Sequence, residues 1–140
     1  MKVNIVYYTA TGNTEEMAQH IQSVLEDQGM DVRSHYVSDI SPEDALDADL
    51  LVLGSPAMGV EEIEEYEFRP FFDEISSDLE GKNVILFGSY DWGDGEWMDT
   101  WSEETESFGA NVLARIKVVM DPDAEDLEEI SSLLEGISYE

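Results

Sequence analysis

The sequence predicts an α/β fold in which a parallel sheet is covered by helices on both faces. Short apolar runs alternate along the chain with segments whose apolar residues recur at helical spacing. The central run, residues 49–53, shows no polar alternation, which is typical of a strand covered on both faces. The alternation fits within 140 residues, a length usual for one domain, so we expect a single domain over residues 1–140.

The strands are predicted from these apolar runs, and the turns between them from glycine, proline and aspartate. The first strand begins almost at the N-terminus, and the last follows Gly109. The predicted strands are residues 3–8, 30–37, 49–53, 82–88 and 111–120.

The helices are predicted from helical spacing and from capping residues. In the first helix Met17, Ile21 and Val24 share one face, and Gly29 ends it. Ser41 caps a short helix that has Pro42 in its first turn. The predicted helices cover residues 13–28, a short stretch from residue 41, and residues 63–79, 99–108 and 124–134.

The chain is strongly acidic, with 34 Asp and Glu against 6 Lys and Arg and a net charge of −28. Such a surface repels nucleic acid and anionic lipid headgroups. Two explanations stay open. Adaptation to a halophilic, salt-filled cytoplasm is favoured, because the screening length falls to about 3 Å at 1 M salt. Steering toward basic partner proteins is the other.

The absence of cysteine excludes disulfides, thiolate nucleophiles and iron–sulfur ligation, so redox chemistry needs an organic cofactor or an unusual metal site. The first residues enter a strand directly, and no apolar stretch approaches the length of a membrane span. We therefore expect a cytoplasmic protein with no membrane contact. The two histidines, His20 and His35, lie far apart in the pattern and are expected on the surface or on a helix face. No metal-binding spacing is present in the sequence.

Three loops of unusual composition follow predicted strands, and in a parallel sheet the ligand site lies at those carboxyl ends. The first, residues 9–14, offers hydroxyls, an amide and Gly12 at a helix N-terminus, which favours an anion. It has no Lys or Arg, so it is suited to hold a phosphate by hydrogen bonds alone. An ordinary threonine-rich helix cap is the alternative interpretation.

The second loop, residues 55–61, and the third loop, residues 89–96, can contact a planar ring. Trp92 lies between glycines at a strand end, where it can stack on a ring or pack on the neighbouring helix. Trp97, at a helix start, is expected to pack. Met58 can cover a ring face, and Glu61 can accept a hydrogen bond from a ring N–H, although each taken singly is more often an ordinary loop residue.

Together these loops resemble those of flavodoxins, particularly the short-chain clostridial kind, over essentially the whole chain. The motifs are Thr-Gly-Asn-Thr at 11–14, Ala-Met-Gly at 57–59 and Gly-Ser-Tyr-x-Trp-Gly-Asp-Gly at 88–95. The resemblance implies a three-layer sandwich with a five-stranded parallel sheet in the order 2-1-3-4-5. It also implies a monomeric low-potential electron carrier that binds FMN non-covalently and docks transiently with redox partner proteins.

The resemblance also implies which residues bind FMN. The first loop would bind the phosphate, Met58 and Trp92 would contact the two ring faces, and Glu61 would bond the pyrimidine edge. The implied cofactor-binding residues are Thr9, Ala10, Thr11, Gly12, Asn13, Thr14, Ser55, Pro56, Ala57, Met58, Gly59, Val60, Glu61, Ser89, Tyr90, Asp91, Trp92, Gly93 and Asp94.

One position departs from the pattern in a way that bears on redox tuning. In the family the Gly59 carbonyl turns to accept a hydrogen bond from flavin N5–H in the semiquinone. Val60 would then occupy a position that requires positive φ, which a β-branched residue resists by roughly 1–2 kcal/mol. We expect weaker semiquinone stabilisation here than the motif alone implies, and a nearly full semiquinone yield in a redox titration would contradict this.

Other functions on related folds fit less well. An FMN-dependent quinone or nitro reductase needs a substrate pocket beside the flavin, and no extra segment is present to build one. A phosphoacceptor receiver needs acids where Tyr8-Thr9 and Gly54-Ser55 stand. A low-molecular-weight phosphatase needs a cysteine nucleophile, which the chain lacks.

Overall fold

The computed structural model describes residues 1–10, 12–58, 62–91 and 95–139. Strands and helices alternate along most of the chain, as the sequence predicts. The strands are β1 (Lys2–Tyr7), β2 (Asp31–Tyr36), β3 (Leu50–Gly54), β4 (Ala57–Met58), β5 (Glu62–Ile63), β6 (Asn83–Tyr90) and β7 (Asn111–Val119). The helices are α1 (Asn13–Asp27), α2 (Pro42–Leu46), α3 (Phe68–Ser76), α4 (Glu96–Ser107) and α5 (Ala124–Glu135), with a 3₁₀ turn at Val37–Asp39.

The main sheet has five strands in the order β2-β1-β3-β6-β7, and each neighbouring pair is parallel. This confirms the predicted fold class and strand order. All residues of β3 are buried, as expected for the strand in the middle of the sheet. The carboxyl ends of β1, β3 and β6 therefore lie side by side at one edge.

Helices cover both faces of this sheet. On one face α1 and α5 pack against the strands through Met17, Ile21 and Ile130. On the other face α3 and α4 contribute Phe72 and Trp101, which meet edge to face with ring centroids 6.0 Å apart. The two apolar layers hold the sheet edge rigidly in place.

Two helix boundaries differ from the predictions. The helix predicted over residues 63–79 spans only Phe68–Ser76, because Ile63 pairs with Ala57 in a short antiparallel ladder that the sequence did not predict. The helix predicted from residue 99 begins at Glu96, after Gly95 in the left-handed conformation. Ser41 caps α2 by accepting a hydrogen bond from the Asp44 N–H at 3.1 Å, as predicted. Within the described ranges, no helix is both long enough and apolar enough to cross a bilayer.

A carboxyl pair at the start of α1 gives the fold a pH dependence. A hydrogen bond with Asp121, then burial and the charge of Asp121, raise the pKa of Glu16 above its ordinary value. The folded state thus binds this proton more tightly than the unfolded state, so the pair's contribution to stability is present at acid pH and lost as pH rises through the raised pKa.

We therefore expect Asp121→Asn to stabilise the protein at pH 7, by no more than about 1 kcal/mol because the pair is exposed. The gain should disappear near pH 4. Urea denaturation at both pH values measures it, with Asp78→Asn, an exposed acid, as the control for general charge removal. Equal gains for the two variants at pH 7 would show that the pair has no special role.

Candidate cofactor site

A depression at the carboxyl edge of the sheet brings the three predicted loops together. The depression and the open space at its mouth amount to about 330 Å³. Its walls come from the ends of β1, β3 and β6 and from the first turn of α1. The lining residues are Ala10, Asn13, Thr14, Pro56, Ala57, Ser89, Tyr90 and Asp91. Each of them belongs to one of the three loops that the sequence singled out.

Backbone contacts fix the strand ends beneath this depression. The Tyr8 N–H donates to the Gly54 carbonyl at 3.0 Å, and the Ser55 N–H donates to the Phe87 carbonyl at 3.1 Å. Gly88 lies so close to the second loop that a Cβ there would overlap the Ser55 carbonyl oxygen and the Trp97 ring. The second and third loops are thus in direct backbone contact.

The first loop presents an open helix N-terminus to the depression. Gly12, at φ 96°, precedes α1 in the left-handed region that favours glycine, and its N–H donates to Thr9 Oγ1 at 3.0 Å. Gly12 occupies the N-cap position and has no side chain with which to cap α1. The N–H groups of the first turn and the helix dipole therefore favour an anion at this point.

A buried hydroxyl pair joins the first loop to the third. Thr14 Oγ1 lies 3.2 Å from Ser89 Oγ, and both residues are buried. Either hydroxyl can donate, so the pair keeps one donor or acceptor free for a ligand. This hydrogen bond joins the first loop to the third without any charged group.

The electrostatic environment of the site is negative. None of the described residues that line the depression is Lys or Arg. Burial, then Glu15 and Asp39, raise the pKa of Tyr7, and burial, then Glu64 and Glu67, raise the pKa of Tyr8. Burial and the nearby carboxylates thus both disfavour added negative charge at these two tyrosines, at the end of β1.

The second loop is closed by a residue that the sequence analysis missed. In the antiparallel pair β4–β5, Ala57 lies opposite Ile63. Glu64 follows β5 directly; it is only 2% exposed and accepts backbone hydrogen bonds from the start of α3. The available signal was an acid four residues before the Phe68 helix start, but the helix predicted over residues 63–79 included Glu64.

The structure places Trp97 and His20, two residues that the sequence analysis singled out. Trp97 is buried and stacks on Trp101 at 6.3 Å, which confirms that it packs. His20 Nε2 lies 2.8 Å from both the Leu127 carbonyl and Ser131 Oγ, so it links α1 to α5.

The predicted site residues outside the described ranges are Thr11, Gly59, Val60, Glu61, Trp92, Gly93 and Asp94, together with the side chain of Met58.

The fold and the depression define a doubly wound α/β protein with an open helix N-terminus at its topological switch point. The chain belongs to the flavodoxin family, because the family model described as Flavodoxin matches residues 5–132. Flavodoxins carry electrons on FMN. The chain is accordingly an FMN-binding electron-transfer protein, an electron carrier and not an enzyme.

Individual relatives agree with this assignment. The flavodoxin of Megasphaera elsdenii is 46% identical over 121 residues, which cover 86% of this chain and 88% of the relative. That of Clostridium beijerinckii is 45% identical over 122 residues, with the same coverage of 86% and 88%. The solution structure of two-electron reduced Megasphaera elsdenii flavodoxin superimposes with a TM-score of 0.83 at 42% identity, covering 94% of this chain and 96% of that one.

Proposed function

We propose that the depression holds FMN with its phosphate at the first loop and its ring between the second and third loops. The observation that carries this assignment is the open N-terminus of α1 facing a depression lined by all three loops. The donor set fits the group, because hydroxyls, an amide and backbone N–H groups bind a phosphate without a cationic side chain.

The proposed roles follow the three loops. Thr9, Thr11, Gly12, Asn13 and Thr14 hold the phosphate. Met58 and Trp92 would flank the ring, Glu61 would bond its pyrimidine edge, and the Gly59 carbonyl would accept a hydrogen bond from flavin N5–H. The remaining proposed contacts with FMN are Ala10, Ser55, Pro56, Ala57, Val60, Ser89, Tyr90, Asp91, Gly93 and Asp94.

FMN supplies the one- and two-electron chemistry when bound, and the protein tunes its potential. Uncompensated acids around the site, such as Asp91, disfavour added negative charge. Two unit charges 8 Å apart repel by roughly 2 kcal/mol at an effective dielectric constant near 20, which is enough to matter for one electron. This supports a low potential for the second electron.

The remaining features of the proposal concern the cellular role. The chain acts in the cytoplasm as a monomer of one domain, and docks transiently with reductases and electron acceptors. The charge of −28 supports steering toward partners with basic docking faces, and it also suits a cytoplasm of high salt.

Comparison of FMN with riboflavin, which lacks the phosphate, tests the assignment of the first loop. Asn13→Ala removes a proposed phosphate contact, so its Kd for FMN should rise roughly 10- to 100-fold, as for one hydrogen bond to a charged group. Its Kd for riboflavin should stay unchanged, and so should both values in the control Asn111→Ala, at the opposite edge of the sheet. Flavin fluorescence quenching measures each Kd. Equal losses of affinity for FMN and riboflavin would show that this loop does not bind the phosphate.

A further inference from the structure

Glu64 differs from the acids beside it in being buried. It is 2% exposed, whereas Glu65 and Glu67 are exposed. Its Oε2 accepts from the Tyr66 N–H at 2.7 Å, and its Oε1 accepts from the N–H groups of Glu67 and Phe68 at 2.7 and 2.8 Å. Each oxygen thus accepts from backbone N–H donors, which compensate the burial of the carboxyl group.

These bonds make Glu64 the cap of α3. The residue at the N-cap position, Glu67, makes no side-chain capping bond, and the first turn of α3 contains no acid. The Glu64 carboxylate fills both roles, because it accepts the free N–H groups of the helix start and lies at the positive end of its dipole. The Glu64 carbonyl also accepts from the Arg69 N–H at 2.8 Å.

The backbone of Glu64 is tied to the other end of the second loop. Its N–H donates to Ser55 Oγ at 3.0 Å, and Ser55 Oγ donates in turn to the Pro56 carbonyl at 3.0 Å. Ser55 is itself fixed to β6 through the Phe87 carbonyl. Glu64 thus joins two elements: its buried side chain binds the start of α3, and its backbone N–H binds Ser55, beside Pro56 and Ala57, which line the depression.

We propose that Glu64 is a positioning residue for flavin binding, which holds Ser55, Pro56 and Ala57, at the start of the second loop, in their binding conformation before the cofactor arrives. This rests on the proposed function, in which that loop contacts the flavin ring. A segment that is fixed in advance loses little conformational freedom on binding, whereas one that is in the binding conformation only part of the time weakens apparent affinity by that fraction. Glu64 touches no cofactor in this arrangement; it acts through Ser55 and β5.

The test uses variants of the full chain. Glu64→Gln keeps the shape but turns one acceptor into a donor that faces a backbone N–H. Ser55→Ala breaks the bond to the Glu64 N–H with no change of charge. Glu65→Gln removes one exposed negative charge from the adjacent residue and is the matched control.

The Kd for FMN is measured by fluorescence quenching at 20 °C on variants whose far-UV circular dichroism shows them folded. We expect a rise of at least about tenfold for Glu64→Gln and about threefold for Ser55→Ala, with less than about twofold for Glu65→Gln. The visible circular dichroism of bound FMN should change in the first two variants only. If Glu64 merely stabilised the fold, its replacement would lower the free energy of unfolding and leave both the Kd and the visible circular dichroism unchanged.

The outcomes separate the two proposals. Absence of FMN binding by the unaltered protein would overturn the proposed function itself. Normal FMN binding by that protein, by folded Glu64→Gln and by Ser55→Ala would overturn only the role of Glu64. Should Glu64→Gln fail to fold, Ser55→Ala decides the question, because it leaves the capping carboxylate in place and removes a hydroxyl whose partners, the Glu64 N–H and the Pro56 carbonyl, belong to the protein.

Discussion

Gly88→Ala is expected to lower the free energy of unfolding by roughly 3 kcal/mol or more. The new Cβ would overlap the Ser55 carbonyl oxygen and the Trp97 ring, and neither can move away freely. Ser55 is held by the bond from its N–H to the Phe87 carbonyl, and Trp97, the second residue of α4, is buried in the core. The same displacement would separate the second and third loops, so FMN binding should weaken along with stability.

Gly136→Ala is the matched control for this prediction. Gly136 lies at the end of α5 with φ −87°, and a Cβ there would make only ordinary contacts of 3.6 and 3.7 Å. We expect no loss of stability, or a slight gain, since alanine restricts the unfolded chain. Urea denaturation of both variants measures the difference. A loss below about 1 kcal/mol for Gly88→Ala would show that the strand ends are less tightly packed than the structure indicates.

Stability is expected to rise steeply with salt. With 34 acids against 6 basic residues, the folded chain repels itself at low ionic strength. The Debye length is about 8 Å at 0.15 M and about 3 Å at 1 M, so most repulsion between exposed acids is removed over this range. We expect a gain of about 3 kcal/mol, equivalent to a rise in Tm of about 10 °C for a domain of this size.

The control separates screening from general solute effects. Sucrose at matched osmolality stabilises by exclusion from the surface and screens no charge, so it should give a smaller rise in Tm than potassium chloride. Differential scanning calorimetry between 0.1 and 1 M salt measures both. A Tm independent of salt would mean that the acids are spaced widely enough to avoid repulsion, and it would weaken the explanation of the composition as adaptation to salt.

Much of the fold could be predicted because its signals are local. The apolar run of β3 and the helical face of Met17 and Ile21 each lie within one segment of the chain. The sheet order came from the resemblance to a family. The pair β4–β5 could not be predicted, since each strand has only two residues, too few to show a strand pattern in the sequence.

The candidate site was predictable in outline and not in detail. Parallel strands place their carboxyl ends at one edge, so the meeting of the three loops followed from the fold class. The hydroxyl pair of Thr14 and Ser89 and the close approach at Gly88 are contacts between distant segments. No local pattern encodes such contacts, because they depend on how the helices and strands pack.

Amide chemical-shift mapping of the apoprotein on addition of FMN tests the central claim most directly. If one FMN binds across the three loops, shifts should concentrate in residues 9–14, 55–61 and 89–94, with a second, smaller set near Glu64. Saturation should occur at one equivalent of FMN. Shifts confined to the face formed by β7 and α5, or an unchanged spectrum at excess FMN, would contradict the account.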